Sequence, residues 1–187
     1  MTDVQELFPR AVGEFDRRVE VIADSQWDDD TPCTEWSVRD LVNHLTYEDL
    51  WVPELLAGKT LEEVGDRFDG DILGDEPKQA WRRARDGALK AVSAGSMDRP
   101  VHTSMGEMPA RDYLSQLLSD HLVHAWDLAR AIGSDEGLDE ELVRNCDAMM
   151  RPYEAMMRAS GVFGDYVEVP ADTDAEVRLL ALFGRRV

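Results

Sequence analysis

Apolar residues recur at intervals of three and four along most of this sequence, and this spacing constrains the fold more than any other feature. Such spacing places one apolar stripe along an α-helix. It predicts a short last helix at 175–183 and long helices at 4–23, 37–56, 77–94, 110–132 and 138–161. Amphipathic helices bury their stripes by packing on one another, so the sequence predicts an all-α helical bundle.

Residues that cap or interrupt helices support these boundaries. Ser37, with Asp40 three residues later, forms the pattern in which side chains satisfy the free backbone N–H groups of a helix start. Asp172 or Thr173 is expected to cap the last helix in a similar way. Pro152 must bend or break the fifth long helix, because proline cannot donate the backbone hydrogen bond.

Two segments between the helices have a different character. Residues 59–76 contain three glycines and seven acidic residues, which predicts a short helical turn at 61–64 followed by a long loop. Whether this loop covers a binding site is left open by the sequence. Residues 101–104 and 107–108 flank Met105-Gly106, and this arrangement predicts a small β-hairpin.

Composition and charge narrow the class of protein. The chain has 187 residues, 43% of them hydrophobic, which is enough for the core of a single domain covering 1–187. The 20 basic and 39 acidic residues give a net charge of −19, which argues against nucleic acids and anionic membrane surfaces as partners. No apolar run approaches the length of a membrane span, and the N-terminal residues lack the apolar core of a signal peptide. We therefore expect a cytoplasmic protein, and an all-helical chain of this kind is compatible with a homodimer.

Histidines and carboxylates occupy positions on the helices where apolar residues would serve for packing. His44 and Glu48 lie on one face of the second helix, and His121 lies within the apolar stripe of the fourth long helix. Asp120 and His124 lie one turn apart at the edge of that same stripe. Buried carboxylates are costly unless they are paired or bind a metal. A divalent cation held between facing helices is one explanation.

The residues alone leave alternatives open at this site. His44, Asp120 and His124 would form a set of two histidines and a carboxylate, which leaves coordination positions for water or substrate. Spacing does not distinguish Asp120 from His121 as the second ligand, and periodicity places His121 deeper. The same residues would also suit a structural network in which His121 and His124 pair with Asp120 and Glu48.

Other features of the sequence carry less weight. Asp66, Asp69 and Asp71 resemble a cation-binding loop, but the distal glutamate of an EF-hand is missing, so a solvated loop is expected. Cys33 is expected to be an unreactive thiol, and His102 a surface residue. The sequence contains no nucleotide-binding glycine loop, GxSxG, CxxC or HExxH motif, which argues against phosphoryl transfer, dinucleotide-dependent hydride transfer and serine hydrolysis.

Three stretches resemble a known family: TPCTEWSVRDLVNHL, DHLVHAWDLARAIG and VPADTDAEVRLLALFGR, at 31–45, 120–133 and 169–185. They resemble actinobacterial members of the DinB/YfiT-like superfamily, and more narrowly the metal-binding domains of mycothiol-dependent maleylpyruvate isomerases. The resemblance implies an all-α, DinB-like four-helix bundle with a divalent metal at one end of its interior. Its ligand pattern, a histidine and a later Glu-x-x-x-His pair, corresponds here to His44, Asp120 and His124, with Asp replacing Glu at 120.

The resemblance also implies a chemistry, in which a metal lowers the pKa of a low-molecular-weight thiol, mycothiol in actinobacteria, and presents the thiolate to an electrophile. Zinc is the first expectation for the metal, and nickel or another divalent ion the second. Spacing makes Glu48 and His121 candidates for accepting a proton or orienting a ligand. The isomerase resembled here has an additional C-terminal domain that contributes to its active site. Because this sequence ends at Val187, we expect a related thiol reaction rather than isomerisation of maleylpyruvate itself.

Three hypotheses of function follow. The first is a metal-dependent mycothiol S-transferase or isomerase-like enzyme. The second is a metal- or ligand-binding stress or sensor protein without catalysis. The third is a structural bundle in which the inward histidines and acids form a hydrogen-bonded network, and in that case chelation would leave its melting temperature unchanged.

Overall fold

Four long helices, paired by their apolar stripes, form the centre of the protein in a computed structural model that describes residues 3–156, 167–170 and 172–187. The helices are α1 (Val4–Val21), α2 (Val38–Leu56), α3 (Leu61–Val64), α4 (Pro77–Ala94), α5 (Ala110–Ile132), α6 (Glu140–Met150) and α7 (Ala175–Leu182). Helix α1 packs mainly on α5, and α2 packs on α4 and α5. The predicted helical bundle is therefore confirmed.

The core is built from the faces that the periodicity predicted. Its largest fully buried side chains include Phe8 and Phe15 from α1, Trp81 from α4, and Leu114 and Leu118 from α5. Helix α6 packs on α7 and on α5, which places the C-terminal residues against the bundle. Burial of these apolar side chains is the main favourable term that holds the helices together.

The local signals at the helix ends are confirmed where the chain supplies a cap. The Ser37 hydroxyl accepts a hydrogen bond from the Asp40 N–H, and the Asp40 carboxylate accepts one from the Ser37 N–H. Helix α4 begins at Pro77 as its first residue. Helix α5 ends at Gly133, which adopts a left-handed conformation with φ of 67° that favours glycine.

The structure corrects the boundaries of three helices. Helix α1 ends at Val21 rather than at residue 23. Asp174 caps α7, accepting a hydrogen bond from the Glu176 N–H, so neither Asp172 nor Thr173 is the cap. Helix α6 ends at Met150 because Pro152 lies in the short 3-10 turn that follows. The predicted end of that helix at 161 lies outside the described residues.

The hairpin packs against α2 and α5, and the acidic loop packs against α2. Strands β1 (Pro100–Thr103) and β2 (Gly106–Pro109) pair antiparallel, with Val101 opposite Met108, so the predicted hairpin is present. The first strand begins and ends one residue earlier than predicted, and the second is one residue longer at each end, so Gly106 lies in a strand and not in the turn. The loop after α3 is tied to α2, because Asn43 donates to the Gly70 carbonyl and accepts from the Ile72 N–H. None of the described helices combines the length and apolar composition needed to cross a membrane.

Candidate metal centre

His44 from α2 and Asp120 and His124 from α5 meet at one place in the bundle. Asp120 lies between the two imidazoles: its Oδ2 is 2.9 Å from His44 Nε2, and its Oδ1 is 3.3 Å from His124 Nε2. One ligand atom from each residue lies within 4.8 Å of the others. The side chains of His44 and Asp120 are 26% and 30% exposed, so the cluster can be reached from solvent. The sequence-predicted ligand residues are thus brought together.

A turn before α2 supplies one wall of this cluster. The Thr31 N–H donates to the Trp36 carbonyl and the Trp36 N–H to the Cys33 carbonyl, while Glu35 adopts a left-handed φ of 70°. This compact turn places the Trp36 ring 5.0 Å from the His44 ring and 5.9 Å from the His124 ring, measured between centroids. The indole therefore restricts the orientation of both imidazoles.

A buried carboxylate holds the other nitrogen of His124. His124 Nδ1 lies 2.9 Å from Oδ2 of Asp127, whose side chain is fully buried. Arg185, in the segment after α7, donates to both oxygens of Asp127 over 3.0 and 2.7 Å. When Nδ1 donates its proton to Asp127, Nε2 keeps a free lone pair toward Asp120 and His44.

Charge pairing dominates the electrostatics of the cluster. Burial favours the neutral form of Asp120, but the neighbouring His124 and His44 outweigh it and hold the pKa of Asp120 well below its ordinary value. Burial likewise opposes the charging of His124, yet Asp120 and Asp127 raise the pKa of this imidazole well above its ordinary value. A divalent cation would replace the proton that now lies among these groups.

The donor set fits a divalent metal. Two imidazole nitrogens and one carboxylate oxygen are the ligands that zinc takes in sites that keep a position for water or substrate. A second group of donor atoms, supplied by Cys33, His124 Nδ1 and Asp127, also lies within 4.8 Å of one another. Arg185 Nη2 is 3.1 Å from the Cys33 sulfur and 2.7 Å from Asp127, so a cationic guanidinium already occupies that side. The first group is therefore the better metal site.

Glu48 lies one turn after His44 on α2 and is partly buried. Its pKa is raised to about 7, chiefly by burial and then by the negative charge of Asp120, while His44 partly opposes the shift. A carboxyl group with this pKa exchanges protons readily near neutral pH. Its position beside the cluster is compatible with the predicted proton-accepting role.

His121 lies in the core and outside the converging donor groups. Its side chain is completely buried; Nδ1 is 2.8 Å from the Leu117 carbonyl and Nε2 is 3.2 Å from Asp49 Oδ1. The Phe8 and Trp81 rings flank it at 5.5 and 6.2 Å. The structural pairing of His121 is therefore with Asp49 rather than with Glu48. A ligand cannot touch it without a rearrangement of the core, so its predicted role in orienting a ligand stays a prediction.

Sequence reasoning missed three neighbours of the candidate site residues: Asp127, Arg185 and Asp49. Asp127 follows His124 by three residues on one helix, and this His-x-x-Asp spacing is a usable signal for a carboxylate that supports a ligand. Arg185 reaches Asp127 from 58 positions later in the chain, and no local pattern reveals such a contact.

The remaining candidates lie away from the cluster. His102 on β1 is half-exposed and faces Glu107 across the hairpin at 3.7 Å. Asp71 pairs with Arg39 at 2.7 Å. Among the described residues, Asp66, Asp69 and Asp71 do not form a converging donor group.

Comparisons with known proteins agree with this architecture. The family described as the mycothiol maleylpyruvate isomerase N-terminal domain matches residues 8–129. Uncharacterized proteins from two strains of Mycobacterium tuberculosis are each 30% identical over 160 residues, covering 84% of this chain and 84% of theirs.

Two solved structures share the fold. The crystal structure of the mycothiol-dependent maleylpyruvate isomerase has a TM-score of 0.64 at 15% identity, covering 84% of this chain and 75% of that one. A mutant of that isomerase gives a TM-score of 0.63 at 14% identity, with 83% and 75% of the chains covered. At such low identity the likeness establishes the common fold.

Proposed function

Because this chain belongs to the mycothiol maleylpyruvate isomerase N-terminal domain family, we propose that it is a divalent-metal-binding enzyme that uses a low-molecular-weight thiol. Its reaction would be an S-transfer or an isomerisation of an electrophilic small molecule, with mycothiol as cosubstrate. The cytoplasmic location, the homodimer and the absence of nucleic-acid partners expected from the sequence belong to the same proposal.

One observation carries the proposal: ligand atoms of His44, Asp120 and His124 lie within 4.8 Å of one another at a solvent-accessible point of the bundle. These residues would hold the metal, with zinc as the first choice and nickel or another divalent ion as the second. When bound, such an ion lowers the pKa of a coordinated thiol and so supplies a thiolate at neutral pH.

The side chains around the ligands have separate tasks. Asp127 accepts the Nδ1 proton of His124 and thereby directs Nε2 toward the site. Glu48, with its pKa raised to about 7, is partly ionised near neutral pH and takes the proton that an incoming thiol gives up. Trp36 packs beside both imidazoles, with ring centroids 5.0 and 5.9 Å away, and limits the space in which they can turn.

The first test is the metal content of tag-free protein, purified without added metal or chelator and measured by mass spectrometry. We expect near-stoichiometric zinc or nickel in the native chain and a loss of metal in His44→Ala and His124→Ala. His102→Ala is the matched control, because this histidine lies on the hairpin outside the donor groups, and it should keep the metal. Full occupancy in His124→Ala would contradict the ligand assignment.

A second measurement separates the enzyme from a non-catalytic binding protein. Metal-loaded protein is incubated with mycothiol and a panel of electrophiles, and consumption of the thiol is followed. Glu48→Gln should keep its metal and lose most of its turnover at neutral pH, because proton-accepting groups contribute about a hundredfold or more to rates. Bound metal without turnover of any electrophile would favour the stress or sensor protein instead.

A further inference from the structure

A cavity of about 430 Å³ begins beside Glu48 and extends along α2 away from His44. Trp51 and Leu55 continue its wall over the next turns of α2, and Tyr113 on α5 faces them. The loop after α3 and the end of the hairpin complete the lining. A helix rises about 6 Å over four residues, so the cavity starts one turn from the proposed metal ligand.

The charges around this cavity have one sign. Glu48, Glu62 and Asp69 line it, and none of the described lining residues carries a basic side chain. In the metal-free chain, a carboxylate or phosphate entering here would meet like charges, and no lining side chain supplies a cation to compensate its lost hydration. The cavity therefore disfavours anionic ligands and favours uncharged or cationic ones.

Two hydrogen-bond donors in the lining lack partners. Tyr113 and Trp51 are 6% and 8% exposed, and neither the Tyr113 hydroxyl nor Trp51 Nε1 has a hydrogen-bond partner among the described residues. Burial raises the pKa of Tyr113 well above its ordinary value, so its hydroxyl keeps a proton to donate. Unpartnered buried donors are costly and rare, and these two atoms are closed off from solvent beneath the lining, so a ligand acceptor would reach them only when the lining side chains move aside.

The rest of the lining suits an apolar group. The Tyr47 and Trp51 rings pack edge to face with centroids 6.0 Å apart, and Leu55 and Leu61 add aliphatic surface. Aromatic and aliphatic walls with a few polar groups are typical of sites for small organic molecules.

We propose that this cavity binds the organic part of the electrophilic substrate, and that it selects uncharged or cationic molecules over carboxylates. The selected molecule carries an aromatic or aliphatic group and an oxygen acceptor, such as a carbonyl or hydroxyl, for Tyr113 and Trp51. The identification of the occupant as substrate rests on the proposed function. Its binding to the cavity does not require a metal.

The test uses four probes with one phenyl ring and different head groups: phenethyl alcohol, benzylacetone, phenethylamine and hydrocinnamate. Each is titrated into the full chain, metal-loaded and EDTA-treated, while the indole N–H signals are followed by proton–nitrogen NMR. Trp51→Phe identifies the Trp51 signal. We expect the alcohol, the ketone and the amine to shift it saturably in both samples, and the carboxylate to bind the EDTA-treated chain about tenfold more weakly or worse.

Variants of the lining residues test the hydrogen-bond argument and the charge argument separately. Tyr113→Phe should weaken the ketone several-fold and leave the amine little changed, because only the ketone needs the hydroxyl donor. The double change Glu62→Gln with Asp69→Asn should bring the affinities of amine and carboxylate closer together. Trp27, which lines a different cavity, provides a reference signal that should not move.

The outcomes separate this inference from the proposed function. Binding of the carboxylate to the EDTA-treated chain as tightly as the alcohol, or an unmoved Trp51 signal with every probe, would overturn the cavity assignment even in a protein with metal and thiol turnover. Selective probe binding in a protein that never takes up metal would support the cavity and contradict the metal-dependent enzyme.

Discussion

Asp127 is not one of the proposed metal ligands, but it contacts one of them, His124, and fixes the orientation of its ring. It is fully buried, it lies 2.9 Å from His124 Nδ1, and it carries a negative charge that Arg185 compensates. Asp127→Asn keeps the size of the side chain but weakens its hold on the Nδ1 proton. We expect metal affinity to fall about 10- to 100-fold, as measured by competition with a chelating dye.

The matched control for this change is Asp112→Asn, an exposed carboxylate in the first turn of the same helix. It should leave the metal affinity unchanged within error, so that a general loss of negative charge is ruled out as the cause. Equal affinities for Asp127→Asn and the native chain would show that Asp127 does not orient His124.

Glu48 makes the stability of the metal-free protein depend on pH. Its pKa is 4.5 in an unfolded chain and about 7 in the fold, so the folded state disfavours the ionised form. Below pH 4.5 the carboxyl group is protonated in both the folded and the unfolded state and does not destabilise the fold. As the pH rises from 4.5 through 7, the unfolded state ionises first, and the free energy of unfolding falls. The loss should reach about 2–3 kcal/mol in the free energy of unfolding by pH 8.

Glu48→Gln removes this titration. In EDTA we expect the variant to be more stable than the native chain at about pH 8 and to differ little at about pH 4, as measured by urea unfolding. Glu140→Gln is the control, because the Glu140 side chain is 88% exposed, and it should show no such pH-dependent difference. If the free energies of unfolding of the variant and the native chain differ equally at both pH values, the fold does not raise the pKa of Glu48.

At the residue scale, the candidate ligands were predictable because their positions on amphipathic helices are a local property of the sequence. His44 shares a face with apolar residues, His124 lies at the edge of an apolar stripe, and the sequence resemblance favoured Asp120 over His121. The partners Asp49, Asp127 and Arg185 were not predicted, because each contact depends on how helices pack. The raised pKa of Glu48 likewise arises from burial and from Asp120 on another helix.

Helix α1 is tied to the turn between α5 and α6 by a buried ion pair. The Arg18 side chain is 2% exposed and pairs with Glu14 at 2.9 Å. Its other nitrogen donates to the carbonyls of Asp135 and Gly137 over 3.0 and 2.9 Å. Arg18→Met removes the donor to the Asp135 carbonyl and leaves the Glu14 carboxylate without its buried partner, so we expect a loss of about 2–4 kcal/mol in the free energy of unfolding, measured with urea.

Arg17 supplies the control on the same helix. It also contacts Glu14 and the Gly137 carbonyl, but its side chain is 51% exposed, and water can replace it. Arg17→Met should therefore cost less than about 1 kcal/mol. Similar losses for the two variants would contradict the importance assigned to the buried pair.

At the scale of elements, helices whose ends carry their own signals were predicted well. Helix α4 begins at Pro77, α5 ends at Gly133, and α2 has its cap at Ser37. One of the three corrected boundaries falls where neighbouring residues compete for one role. Asp172, Thr173 and Asp174 can all cap a helix, and only the third does so here.

The whole molecule carries a net charge of −19, and this charge acts on folding and on metal binding in opposite directions. Mutual repulsion of the acidic groups destabilises the compact state, and salt screens it. The same negative field would attract a divalent cation to the proposed ligands His44, Asp120 and His124, and salt would weaken that attraction. Raising sodium nitrate from about 10 mM to about 500 mM should therefore increase the free energy of unfolding of the EDTA-treated chain while lowering its metal affinity several-fold. Nitrate replaces chloride because chloride itself binds zinc. His124→Ala should show a similar gain in stability with salt, since it changes the net charge of −19 by no more than one unit. A metal affinity that stays constant or rises over this range would mean that local ligands alone, and not the field of the whole protein, draw the cation to the site.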